Sequence, residues 1–116
     1  MIQINAMPII NSVQWPAIIK LHADDELIYI ANAAQFINDD ALRQMHVNDL
    51  DMLIDSSGAV YQMHPGQTLQ LIPAGATLNL DEIEQLLRLH LSCHGACCVS
   101  KFHSSSIHQA FITVFA

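Results

Sequence analysis

The stretch HLSCHGACC, residues 90–98, places two histidines, three cysteines and a glycine in nine positions. Imidazole and thiolate are the donors that zinc and Cu(I) favour. Residues three or four apart are neighbours on a helix. His90 with His94, or His90 with Cys93, would therefore offer two ligands. Cys97 or Cys98, just past Gly95, would fold back as a third, and His103 or His108 would complete a tetrahedron. The spacing fits such a zinc or copper site only loosely. Cys93-x3-Cys97 makes one knuckle, and His103-x4-His108 is a poor second. The order also differs from the C-x-x-C-H of covalent haem.

A reactive thiol is the second chemistry. Cys93 has His90 and His94 as nearby bases, but it falls near a helix C-terminus, where the dipole opposes a thiolate. The adjacent pair Cys97–Cys98 would point to opposite faces of a strand and is no C-x-x-C redox motif. The third reading is packing. Free cysteine behaves as a small hydrophobe, and a run of small residues lets a helix end approach a sheet closely. His90 is then a neutral, hydrogen-bonded core imidazole, because burying it unpaired would cost about 1–3 kcal/mol. Packing suits these residues best. The expectation is no catalytic residue, no metal and no cofactor, with His90, Cys93, His94, Cys97 and Cys98 as the alternative zinc or copper ligands.

Other chemistry-bearing residues read as turns. Asp55-Ser56-Ser57-Gly58 lacks the periodic ligands and closing Glu of an EF-hand. Asp24, Asp25 and Glu26 form a solvated turn. Ser104, Ser105 and Ser106 lack the G-x-S-x-G context of a nucleophile elbow. With four glycines in the chain, and no phosphate-cradling loop among them, a nucleotide site is not expected.

The element that must carry the 90–98 cluster is a helix over about 80–94. Asn79 is its N-cap and Glu82 closes a capping box. Leu78 and Ile83 occupy staple positions, and Gly95 supplies the left-handed stop. At about 100° per residue, Ile83, Leu86, Leu87, Cys93 and His94 share a face with His90, while Glu84, Gln85, Arg88 and Ser92 fall opposite. That apolar face needs a sheet. Residues 13–21 and 27–31 read as a hairpin, with Pro16 at an edge or a strand start. Residues 50–63 form a second hairpin in which Gly58 takes a positive φ. Residues 67–72 alternate as a further strand closed by Pro-Ala-Gly. ACCVSKF and HQAFITVF then read as a C-terminal hairpin. Residues 32–38 read as a short helix or as irregular chain, and a short second helix is expected over about 39–46. The sum is an α+β domain, 1–116, with a mostly antiparallel sheet of about five to seven strands packed on one main helix.

Composition narrows the function. The 116-residue chain is 52% hydrophobic and 13% charged, with a formal net charge of −7. The basic residues Lys20, Arg43, Arg88 and Lys101 are scattered, so nucleic acid and anionic membrane surfaces are poor partners. No apolar run approaches the length that spans a bilayer. The N-terminus lacks a basic region and a cleavage site, and three clustered cysteines make no secreted disulfide framework. A bacterial cytoplasmic protein is expected. So few charges suggest an apolar patch covered by a partner or a second copy.

Three stretches, LIDSSGAVYQM, LDEIEQLLRLH and CCVSKF, together resemble a family of short bacterial proteins of unknown function. The resemblance implies a stand-alone α+β domain and carries no activity or site residue with it. The functional expectation is a small non-catalytic interaction module. It would recognise an unknown protein or itself through a strand edge, either the one bearing Pro16 or the C-terminal one. A metal-binding protein and a thiol-dependent enzyme are the alternatives.

Overall fold

The computed structural model describes residues 8–48, 50–64, 70–95 and 103–116. Among them, five strands form one antiparallel sheet in the order β2-β1-β3-β4-β5. The strands are β1 Ala17–Lys20, β2 Leu27–Ile30, β3 Met52–Asp55, β4 Ala59–His64 and β5 Gln70–Thr77. The helices are α1 Pro8–Ser12, α2 Ala33–Asn38, α3 Asp40–Arg43, α4 Leu80–Cys93 and α5 Ile107–Phe115.

Alternation along the strands builds two cores, one on each face. Ala17, Ile19, Ile30, Leu53, Tyr61 and Met63 face one way, where Val13, Phe36 and Leu42 cover them. Ile18, Leu27, Ile54 and Val60 face the other way, beneath Ile83 and Leu87 of α4 and Ala110 and Phe111 of α5. A single-residue slip would exchange the two sets, so the register is held from both sides.

The two hairpins form where the turn chemistry places them. Gly58 has φ +88°, and a Cβ there would drive into the carbonyl oxygen of Leu78. Asp55 organises this corner. It is 1% exposed. Its carboxylate accepts from the backbone N–H of Gln14 at 2.9 Å, of Ser57 at 2.9 Å and of Ala59 at 3.0 Å, and from the Ser57 hydroxyl at 2.6 Å. Ser56 donates its hydroxyl to the Pro16 carbonyl at 2.6 Å. The turn therefore anchors the start of β1 as well as closing β3 onto β4.

The capping box of α4 is complete: Asn79 and Glu82 exchange side-chain and backbone bonds at 2.9 and 3.0 Å. Gly95 has φ +75°. Pro16 lies just before β1, the strand-start position, but β1 sits between β2 and β3 and is not an edge.

Three elements differ from expectation. HQAFITVF is a helix, not a strand. Its β-branched and aromatic residues favour strand locally, but Ile107, Ala110, Phe111, Val114 and Phe115 recur at helical spacing and pack together on the sheet. Ser106 caps it by accepting from Gln109 N–H at 3.1 Å. The proposed partner strand ACCVSKF lies outside the described residues. Secondly, Pro73-Ala74-Gly75 does not end β5, which continues to Thr77. The pairing shifts register between Ala59 and Tyr61, and Gly75 at φ +74° lies in the extra length of β5. A bulge accommodates what would otherwise stop a strand. Thirdly, the helix expected over about 39–46 is present but shorter, as α3, and residues 32–38, whose sequence fits a short helix or irregular chain, hold helix α2. Asn32 and Asp39 cap them by accepting from Gln35 N–H and Leu42 N–H.

Candidate functional site

α4 delivers its C-terminal residues to the outer edge of β2, and there the 90–98 cluster separates. His90 is 9% exposed. Its Nδ1 accepts the backbone N–H of Leu27 at 2.9 Å. Its ring lies 5.0 Å from that of Phe115 and 4.6 Å from that of His94. A backbone N–H can only donate, so Nδ1 carries the lone pair and the proton sits on Nε2. This neutral tautomer has no second lone pair for a metal. Burial first, then His94, lowers the pKa of His90 below its ordinary value, against a smaller opposing pull from Glu26.

Cys93 and His94 do not continue the buried face as the wheel suggests; both are exposed. His94 Nε2 lies 3.0 Å from Glu26 Oε2, with both side chains half in water. Cys97 and Cys98 lie outside the described residues. His108 is exposed on α5, and His103 is exposed with Nδ1 3.5 Å from Glu84 Oε1. Among the described residues, no group of three His, Cys, Asp or Glu gathers in a way that could hold a metal ion.

Glu84 is the second departure from the wheel. Expected to face water, it is 3% exposed. The segment leading into α5 crosses over it, and Ser104 N–H donates to its Oε2 at 2.6 Å. Arg88 Nη2 stands 3.6 Å from its other oxygen, Oε1. Glu84 thus ties α5 to α4. Asp51 is buried in a similar structural role, accepting from His22 N–H at 2.7 Å and Asn48 N–H at 2.9 Å.

The outer edge of β2 is occupied by side chains. Leu27 N–H is taken by His90, Ala31 N–H donates to Gln35 Oε1 at 2.9 Å, and Gln35 Nε2 donates to the Tyr29 carbonyl at 3.3 Å. These groups sit at alternate positions of one strand, so they point the same way, away from β1. The Gln35 amide stands in for a neighbouring strand.

The other end of the sheet is different. One row across the α4–α5 face runs Leu27, Lys20, Met52, Gln62, Ile72 from β2 to β5. Leu27 is under the helices, whereas Ile72 is 42% exposed, and Leu50, two residues before Met52, is 58% exposed. Leu50, Met52, Val60, Gln62, Pro73 and Ala74, with Asp51, line an open depression of about 460 Å³. Sequence reading missed this surface. Its one signal was the break in alternation at Leu71-Ile72. Leu71 continues the inward phase, so Ile72 must emerge on the other face.

A five-stranded antiparallel sheet with helices on both faces defines a small α+β protein. The chain belongs to the DUF4144 family, described as a protein structure with unknown function, which matches residues 15–114. No curated protein matches the chain. A solved neighbour is described as the NMR structure of the protein from Shewanella amazonensis. It is 28% identical, with a TM-score of 0.61, and the match covers 88% of this chain and 87% of that one. Among the described residues, no helix is long and apolar enough to cross a membrane.

Proposed function

We propose that this chain is a non-catalytic interaction module of the bacterial cytoplasm, and that it docks another protein chain on the open β3–β5 half of the sheet. The observation that carries the reading is the exposure of two large aliphatic side chains: Leu50, which lines the depression, and Ile72, which follows Leu71 on β5 and pairs with Gln62 of its lining. Such patches are the usual mark of protein contact surfaces. The buried polar groups support the non-catalytic half of the reading. Asp51, Asp55, Glu84 and His90 all accept backbone N–H groups, which holds elements together.

The recognition surface is a face and not an edge. The edge bearing Pro16 is interior, and the C-terminal element is a helix. Of the sheet's two edges among the described residues, β2 is occupied by Gln35 and His90. β5 carries Pro73, which lacks an N–H, and a bulge, two devices that discourage strand addition.

Photo-crosslinking in cells tests the proposal. A benzophenone side chain replacing Leu50 should give a discrete protein adduct that Ile72→Asp abolishes. The same probe at Ala34, an exposed site on α2, should give none. Equal labelling at both sites, or an adduct indifferent to Ile72→Asp, would refute it. The adduct's mass separates a second copy from a different protein.

A further inference from the structure

The His90 contact has a consequence beyond packing. Its Nδ1 is the acceptor for an edge N–H of β2, and an imidazolium has no acceptor. We propose that His90 is a proton-operated plug: neutral, it locks the end of α4 onto the outer edge of β2; protonated, it releases Leu27 N–H and loosens that end of the helix.

The surroundings set the direction. From α4, His94 faces the ring at 4.6 Å. From the β1–β2 connection, Glu26 approaches and pairs with His94 at 3.0 Å. From α5 comes the uncharged Phe115 ring, itself stacked at 5.1 Å on Tyr29 of β2. On the wheel, Glu84 and Arg88 project from the other side of α4. Burial and His94 therefore oppose a charge on His90, and Glu26 favours one. The plug stays in place at neutral pH and opens only below the ordinary imidazole value of about 6.5. It is separate from the open β3–β5 surface, so its fate does not depend on that reading.

The test is a pH titration of the full chain by proton–nitrogen NMR. At pH above 7, His90 should be in the Nε2–H tautomer. On acidification, the Leu27 amide shift should move with the same midpoint as the His90 ring nitrogens, below about 6.5. The protection factor of Leu27, corrected for the intrinsic pH dependence of exchange, should fall across that midpoint. Glu26→Gln should lower the midpoint and His94→Gln should raise it. His90→Gln, which keeps an acceptor but cannot titrate, should leave the Leu27 shift flat. An Nδ1–H tautomer at neutral pH would overturn the proposal. So would a Leu27 shift that ignores His90 titration in the unmodified chain, which needs no variant to fold.

Discussion

The two ends of the sheet are built by opposite means. At β2, helices α4 and α5 lie over the strand, and Gln35 and His90 consume its outward backbone groups. At β5, a bulge and Pro73 disturb the edge, Leu71 alone among its residues is buried, and Ile72 is exposed. The β2 edge spends polar side chains on closure, whereas the β5 edge leaves Ile72 uncovered on the sheet itself; among the described residues, the other exposed large apolar ones are Leu50 before β3, Ile37 on α2 and Leu89 on α4. A chain with so few charges has little to spare, so apolar surface left open at one end carries more information than a buried histidine at the other.

Substitutions should break or sharpen that contrast, starting with the largest effect. At the closed end, Leu87→Ala should destabilise by about 2–5 kcal/mol in urea unfolding, since Leu87 is fully buried between α4 and the sheet. A loss below about 0.5 kcal/mol would mean that α4 does not face the sheet as described. Asp55→Asn, which weakens charge-assisted bonds at the hairpin corner, should cost about 1.5–3 kcal/mol by the same measurement. His90→Ala strands the Leu27 N–H and should cost about 1–3 kcal/mol.

The pH dependence of stability follows from the same residue. His90 has a lower pKa folded than unfolded, so the unfolded chain binds more protons in the window between the two values. Its contribution is fully present above the unfolded value of about 6.5 and is lost as pH falls through the folded value. Urea midpoints should decline over that range in the native chain and decline less in His90→Gln. Gln35→Ala, at a more exposed part of the same edge, should cost about 0.5–1.5 kcal/mol.

Legibility followed the range of the interactions. The N-terminal end of α4 was readable because Asn79, Glu82, Leu78 and Ile83 act within two turns of one another. The hairpin at Asp55–Gly58 was readable as a turn for the same reason. That Asp55 also holds Gln14 was not readable, because that bond joins residues 41 apart. The C-terminal end of α4 misled in both directions. The wheel set Cys93 and His94 inward and Glu84 outward, but a wheel does not know where a sheet ends or which segment crosses a helix. α5 shows local preference yielding to packing: Phe111-Ile112-Thr113-Val114 favours a strand, yet Ala110 and Phe111 bury only as a helix face. His90 is buried and hydrogen-bonded, and its partner, a strand-edge N–H 63 residues away, is beyond the reach of any local pattern.

The most direct measurement of the central contrast is urea unfolding of the double variant Leu50→Asn, Ile72→Thr at several protein concentrations. Thr keeps β-branching at Ile72, so strand preference is retained while the apolar surface becomes polar. If the β3–β5 face is open, stability should change by no more than about 0.5 kcal/mol per site. A loss of about 2 kcal/mol or more at every concentration would place these side chains in a core and contradict the account.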